Sequence, residues 1–275
     1  MMMVVKGVVG GLAVLGGLQM WAAWRFRKQA AALAGQVMAG PAPDGMRDEL
    51  PDAVAALGLR GTGGQEPAAC AVRLTQEAEM ALAPGKGWQP IAARQVIGVA
   101  APGFVWEAWQ TRGPLVTLRV IDSFVEGRGL LAARLLGSVP VARVEGDEMD
   151  RGEAMRYLAE LPWAPDAVLA NRAVQWRVLE DGRIEARLAM TPRDAVVCFA
   201  LDAGGDIVEM NARDRPATGP DGSSVLRDWH GRFHDYDMIG GRRVPLRAEV
   251  GYVGDEGFAP YWRGRITSLV AEPAG

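Results

Sequence analysis

The chain has 275 residues, with 30 basic and 33 acidic side chains and a formal net charge of −3. This length fits one domain plus a short accessory segment better than two domains. The slight acidic excess disfavours nucleic acid as a partner, because phosphate contacts need basic patches. The two cysteines, Cys70 and Cys198, lie far apart and show no metal-ligand spacing, so they are either free thiols or one long-range disulfide.

The first predicted element is an uncharged, mostly apolar run over residues 7–24 that is flanked by basic residues. As a helix it would span about 27 Å, close to the thickness of the hydrocarbon layer. Trp21 and Trp24 lie at one end, where aromatic rings favour the headgroup level. The sequence therefore predicts a single-pass transmembrane anchor over residues 1–28, which is retained because positive charges separate it from the nearest cleavage-like site.

Residues 29–50 begin as an alanine-rich extension of this helix and continue as a Pro/Gly linker. Residues 51–275 are predicted to form a single β-rich domain. Apolar and polar residues alternate along many of its segments, and hairpins are expected around Asp181-Gly182, where the dipeptide favours a type I′ turn, around Gly204-Gly205 and around residues 254–257. We predict roughly ten strands in an antiparallel sheet.

Two of these strands carry apolar residues on both faces, over residues 104–109 and 195–201. Such strands are either covered on both sides or line an apolar hollow. The predicted fold is therefore mainly β (α+β), with a curved antiparallel sheet or half-barrel and one or two helices.

The best-marked helix starts with Asp150 and Glu153, which have the spacing of a capping box, and ends at Pro162. A second short helix is predicted over residues 130–136.

Residues 152–165 read GE-x-MRYLAE-x-x-W-x-P. Together with residues 104–108, 122–129 and 260–264, this block resembles a bacterial family of uncharacterised, membrane-anchored proteins. The start of the domain, residues 50–57, departs from that family's pattern. The resemblance implies no catalytic residue, since the family has no established activity.

A looser architectural similarity is to periplasmic lipoprotein carriers, in which a curved sheet holds acyl chains and helices plug its concave face. That similarity favours the bacterial inner membrane as the location, with the domain on the periplasmic side. Fold alone does not give function.

Several residues of the predicted helix and of the tryptophan-rich strands are candidate ligand contacts. Arg156 and Glu160 are four residues apart and can pair. Arg156 could instead bind a lipid phosphate or carboxylate, and the tryptophans could be core residues or a wall for an acyl chain. The candidate ligand-binding residues are Arg156, Tyr157, Glu160, Trp163, Trp106 and Trp262.

Three other groups of polar residues are read as structural. Asp122, Glu126 and Arg128 are assigned to a plain turn. Exposed positions at strand ends are expected for Arg213, Arg215, Arg242 and Arg243. The histidines at 230 and 234 are assigned to the solvated face of a strand, too far apart for one metal ion.

The sequence predicts a membrane-tethered, non-enzymatic carrier or sensor of a lipid or other apolar ligand, without cofactor, metal or catalytic residue. The alternative is a membrane-anchored scaffold that docks a partner protein; an enzyme acting on envelope material is less favoured. A cavity of several hundred Å³ lined by tryptophans would favour the carrier. A filled core with a flat apolar patch would favour the scaffold.

Overall fold

The structure, a computed structural model, describes residues 2–81, 87–219 and 223–273, with side chains from residue 16 onward. The described residues form four α-helices and one 3₁₀ turn: α1 (Met2–Met38), α2 (Asp52–Thr62), α3 (Asp147–Ala159), the 3₁₀ turn (Leu161–Trp163) and α4 (Pro165–Ala170). They also form thirteen strands: β1 (Ala69–Met80), β2 (Gln89–Gly98), β3 (Phe104–Arg112), β4 (Leu115–Val125), β5 (Arg128–Leu135), β6 (Val139–Val144), β7 (Gln175–Val178), β8 (Ile184–Leu188), β9 (Ala195–Leu201), β10 (Ile207–Thr218), β11 (Ser224–Ile239), β12 (Arg242–Gly254) and β13 (Gly257–Pro273).

All thirteen strands belong to one antiparallel sheet made of two meanders. Strands β1 to β6 and β7 to β13 each pair in sequence order, and β1 pairs with β13 to join the two halves. The edge strands β6 and β7 are connected by α3, the 3₁₀ turn and α4. Helix α3 contacts both β4–β5 and β8–β10, which lie in opposite halves of the sheet. The sheet must therefore curl around α3, which confirms the predicted curved, mainly β architecture.

The predicted hairpins are present, but some local assignments were wrong. Gly182 has a φ of 82° while Asp181 does not have a positive φ, so this turn is not type I′. The predicted helix over residues 130–136 was wrong: residues 130–135 belong to strand β5, because both edges of this segment pair with neighbouring strands. Tertiary pairing here outweighs the helical preference of its leucines and alanines.

Helix α3 begins at Asp147, earlier than the predicted capping box, and ends at Ala159. The Asp150 carboxylate does not cap the helix; it accepts the backbone N–H of Gly129 on β5 at 2.7 Å. A Cβ at Gly129 would lie 2.6 Å from the carbonyl oxygen of Met149, so glycine is needed for this close approach. The first turn of α3 is thereby attached to β5.

The sheet is covered on both faces near β3. Phe104 and Trp106 belong to the main core, which lies on the concave side against α2, α3 and α4. Val105 belongs to a second cluster on the convex side, where it joins Phe26 and Ala30 of α1. The two-sided apolar pattern of β3 therefore reflects two packed layers. In β9 one face is buried and the other is half-exposed, so the same prediction was wrong there.

The second half of α1 lies against the convex face of the sheet. Phe26, Ala30 and Val37 are buried there, and the Cys70 thiol donates a hydrogen bond to the carbonyl oxygen of Met38 at 3.3 Å. Cys70 and Cys198 are both free thiols. Within the described part of the chain, no helix combines the length and the apolarity needed to cross a membrane. Side chains 7–15 of the predicted anchor lie outside the described residues.

The predicted linker contacts the domain. The Arg47 guanidinium donates to the carbonyl oxygens of Asn171 and Val174 at 2.7 and 2.6 Å. The proposed division of the chain at residues 28 and 50 stays a prediction.

Candidate ligand-binding cavity

A cavity of about 480 Å³ lies between α3 and the concave face of the sheet. This volume is in the range of small-molecule sites. Exposed lining residues, among them Glu148, Thr218 and Ser224, mark its mouth between the start of α3 and the β10–β11 connection. Its apolar wall includes Met80, Trp106, Val120, Leu131, Trp163, Met210, Trp229, Phe233, Val250 and Trp262.

Hydrogen bonds hold three of the cavity tryptophans in place. The indole N–H of Trp106 donates to Gln76 at 2.8 Å, and that of Trp229 donates to the Tyr261 hydroxyl at 3.0 Å. The indole of Trp163 donates to the Pro245 carbonyl oxygen at 2.9 Å. A buried indole N–H needs such a partner. The aromatic wall is therefore preformed.

Arg156 lies on the floor of this cavity and joins α3 to the sheet. Its Nε lies 2.8 Å from Glu160 Oε1, which confirms the predicted i, i+4 pair, and its Nη1 donates to Asp122 on β4. The guanidinium also stacks on the rings of Phe104 and Trp106, each 4.9 Å away. Burial lowers the pKa of Arg156, but the carboxylates of Glu160 and Asp122 outweigh burial and raise it.

The Arg215 guanidinium makes a second buried contact with a carboxyl group across the cavity floor. Its Nη2 donates to Glu153 Oε1 on α3 at 3.1 Å, and its Nη1 donates to the Tyr252 hydroxyl, also at 3.1 Å. The guanidinium lies 4.5 Å from the centre of the Trp229 ring. The predicted exposed position for Arg215 was therefore wrong, because the curl of the sheet turns this part of β10 towards α3.

Burial also changes the protonation of the carboxyl groups on the floor. Burial raises the pKa of Glu153 to about 8, and the nearby charge of Asp122 raises it further, while Arg215 and Arg156 act in the opposite direction. Burial raises the pKa of Glu160 as well, against the effect of Arg156. Glu160 accepts a hydrogen bond from Gln95. Burial thus favours the protonated form of Glu153.

Five of the six candidate ligand residues line this cavity: Trp106, Arg156, Glu160, Trp163 and Trp262. Tyr157 is fully buried and lies elsewhere in the core. Its hydroxyl donates to the Gly98 carbonyl oxygen at 3.0 Å and accepts from the Asn171 amide at 2.7 Å. A ligand-binding role for the six residues stays a prediction.

The assignment of Asp122 to a plain turn was wrong, since Asp122 lies within β4. Glu126 and Gly127 form the two-residue turn that follows, with φ values of 52° and 78°. Arg128 begins β5, where it contacts Asp150.

The other polar groups also have specific positions. Arg242 was predicted to be exposed but is buried against Asp166, with a 2.7 Å contact from Nε. Arg243 contacts Asp206 at 2.7 Å. The solvated position predicted for His230 was wrong, because His230 is largely buried and contacts Asn211 at 2.8 Å, whereas His234 is exposed as predicted.

Sequence reasoning missed Asp122, Glu153 and Arg215 as members of the site. One signal existed for Asp122, because it continues the apolar face formed by Val116, Leu118 and Val120 in an alternating strand. A charged residue on that face should point into the interior.

A model of a family of unknown function (DUF6544) matches residues 43–264. The chain belongs to the DUF6544 family. This confirms the predicted membership of an uncharacterised family, whereas the sequence block and the membrane anchor assigned to it stay predictions. A search of curated proteins found no match for this DUF6544 chain.

Solved structures with a similar backbone path have low sequence identity to this DUF6544 protein. One is a LolA superfamily protein from Nitrosomonas europaea, with 10% identity and a TM-score of 0.43 over 80% of this chain and 93% of that one. Another is a DUF1329 family protein from Desulfovibrio piger, with 7% identity and a TM-score of 0.44 over 80% and 90%. A third, named an outer membrane lipoprotein-sorting protein domain, from Vibrio parahaemolyticus, has 11% identity and a TM-score of 0.40 over 72% and 84%. Similarity at this level carries no information about ligand or activity.

Proposed function

We propose that this protein is a membrane-tethered, non-enzymatic binding protein for a lipid or other apolar ligand. The observation that carries the proposal is the cavity of about 480 Å³ with its four tryptophans, Trp106, Trp163, Trp229 and Trp262. An apolar, preformed hollow with a few polar groups on its floor is typical of small-molecule sites. A fully packed core would have supported the scaffold instead.

Helix α1 supports the tether. Leu18, Met20, Trp21 and Trp24 are exposed on it, and they continue the apolar run of the preceding residues in the sequence. The Arg25 guanidinium lies 4.9 Å from the Trp21 ring centre. Aromatic rings beside basic groups are typical of the level where a helix leaves the bilayer. We propose the inner membrane as the location and the periplasmic side for the domain.

The β5–β6 hairpin supports a membrane at the same end of the molecule as the exposed tryptophans of α1. It exposes Leu135, Leu136 and Val139 to solvent. A Cβ at Gly137, in the turn, would lie 3.3 Å from the Cβ of Ala23, which lies between the exposed Trp21 and Trp24 in the same helical turn. Apolar side chains beside an anchor are expected to enter the bilayer with it.

Native mass spectrometry of the full chain in amphipol, with lipid extraction of the same sample, tests the ligand. Ala217 lines the cavity near its mouth, so Ala217→Trp should fill it. The matched control is Val270→Trp, at an exposed position of β13. We expect a bound lipid mass in wild type and in the control but not in Ala217→Trp. Wild-type protein that carries no lipid and takes none up would contradict the proposal.

A scaffold that docks a partner protein is the second candidate function. It is favoured by Val139, Val141 and Val144, which are exposed on the edge strand β6. Exposed edge strands are ready sites for pairing with another chain. In-cell crosslinking from position 141 tests it, and recovery of no specific partner would reject it.

A further inference from the structure

Beyond the cavity, the concave face of strands β4, β5 and β6 continues as a surface of apolar side chains. Cross-strand partners share one face of a sheet, so the residues of this surface form rows across the three strands. The first row lines the cavity and consists of Asp122, Leu131 and Val144. The next two rows, which we call the apolar track, are Val120, Ala133 and Ala142, followed by Leu118, Leu135 and Val139.

The apolar track becomes more exposed with distance from the cavity. Helix α3 binds the sheet at Asp122 and Gly129, at the end of β4 and β5 opposite to the β5–β6 turn. Val120 is half-buried and also lines the cavity, so the cavity wall and the track are continuous. In the last row, Leu135 and Val139 are 47% and 51% exposed. Contiguous exposed apolar surface of this kind marks a site of interaction.

The far end of the track is held beside α1. Its last row adjoins the β5–β6 turn, residues 136–138. Arg134, on the convex face of β5, donates to the carbonyl oxygen of Ala22 at 3.5 Å, and its guanidinium lies 4.6 Å from the centre of the Phe26 ring. Four residues of β5 separate the first row from the last, about 13 Å at about 3.3 Å per residue. The track therefore connects the cavity to the part of the molecule where the exposed tryptophans of α1 lie.

The track differs from the mouth of the cavity in polarity. Glu148, Thr218 and Ser224 are exposed at the mouth. An acyl chain that crossed this polar mouth would expose its methylene groups to water, which is unfavourable. On the track, the same chain would remain in contact with apolar side chains along the whole distance from the turn to the cavity.

We propose that the apolar track is the route by which the acyl chain of the ligand passes between the bilayer and the cavity. The proposal rests on the proposed function, because it assigns the entry path of the same cavity. A route lowers the barrier to transfer and makes no contact with a chain that already lies in the cavity. The rates of entry and release should therefore depend on the track, whereas their ratio, the dissociation constant, should not.

Stopped-flow tryptophan fluorescence on the full chain in phosphatidylcholine nanodiscs tests the route, with 1-dodecanoylglycerol as a single-chain probe. Release is measured by adding an excess of phosphatidylcholine vesicles, and the signal of Ala217→Trp is subtracted to remove partitioning into the lipid. Ala142→Glu places a charge on the track at an exposed position. Because the chain must pass a charge whose desolvation is unfavourable, we expect entry and release each to slow about ten-fold, with an unchanged dissociation constant.

Matched variants separate the charge from other effects. Ala142→Leu adds a side chain of similar size without the charge and should keep the wild-type rates. Val178→Glu places the same charge at an exposed valine of the opposite edge strand, β7, and should also keep them. Val139→Glu, in the last row of the track, should slow transfer as Ala142→Glu does.

Wild-type rates in Ala142→Glu, with saturable binding of the probe, would overturn the route while leaving a ligand-binding cavity. Equal slowing in Ala142→Leu or in Val178→Glu would overturn it too, and so would a weaker dissociation constant of Ala142→Glu at an unchanged entry rate. If wild type shows no saturable binding above the Ala217→Trp signal, the proposed function itself fails.

Discussion

Asp122 on β4 binds the guanidinium of Arg156 on α3, and this ion pair joins the sheet to the helix that crosses its concave face. Both residues belong to the floor of the cavity. The same contact therefore holds α3 in position on the sheet and forms part of the floor of the candidate site.

Removing Arg156 should destabilise the protein strongly. Arg156→Met leaves the carboxylates of Asp122 and Glu160 buried without their partner, which costs about 3–5 kcal/mol in the free energy of unfolding. Urea denaturation checks this value. The control is Arg265→Met, which removes an exposed cross-strand pair with Glu77 and should leave stability within experimental error. Equal effects of the two variants would contradict a buried, helix-locking role.

Tyr157 should prove structural, since it lies outside the cavity lining. Tyr157→Phe removes the bonds to the Gly98 carbonyl oxygen and the Asn171 amide, which should lower stability by about 1–3 kcal/mol. Affinity for 1-dodecanoylglycerol should remain at the wild-type value. A variant with normal stability and weakened ligand binding would instead assign Tyr157 to the site.

The stability of the protein should depend on the proton of Glu153. Its folded pKa is raised to about 8 from the ordinary 4.5, so its contribution is fully present below pH 4.5 and is lost as the pH rises towards 8. One such proton changes the free energy of unfolding by at most about 1.4 kcal/mol per pH unit.

Denaturation of wild type and Glu153→Gln at pH 5, 6, 7 and 8 isolates this group. Wild type should lose stability relative to the variant at each step, because the amide cannot ionise. Parallel curves would show that Glu153 is ionised in the folded protein.

The β5–β6 turn should enter the bilayer beside α1. In a Cys198→Ser background, an environment-sensitive fluorophore is attached at Leu136→Cys or, as the control, at Val253→Cys; both positions are exposed, and Cys70 is buried. With the full chain in vesicles, the label at 136 should be blue-shifted and quenched by a bilayer quencher. An identical signal at 253 would reject this orientation.

The sheet was predictable where alternation and turns were local. The hairpins of β7–β8, β9–β10 and β12–β13 follow from neighbouring residues alone. Strand β5 could not be predicted, because its leucines and alanines favour a helix and its pairing with β4 and β6 is a tertiary effect. The covering of β3 by α1 likewise joins segments that are distant in sequence.

The candidate site could likewise be predicted only where its contacts depend on local spacing in the sequence. Arg156 and Glu160 follow from helical spacing, since i, i+4 neighbours share a face. The pairing of Glu153 with Arg215 joins residues 62 positions apart, and only the curl of the sheet brings them together.

Photo-crosslinking is the most direct test that the cavity holds an apolar chain. The full chain in nanodiscs is irradiated with 1-acylglycerol that carries a diazirine on its chain, and the modified peptides are mapped by mass spectrometry. Adducts should fall on cavity residues such as Met80, Met210 and Phe233, and Ala217→Trp should abolish them. Adducts confined to α1 and the convex face, or unchanged in Ala217→Trp, would contradict a ligand in the cavity.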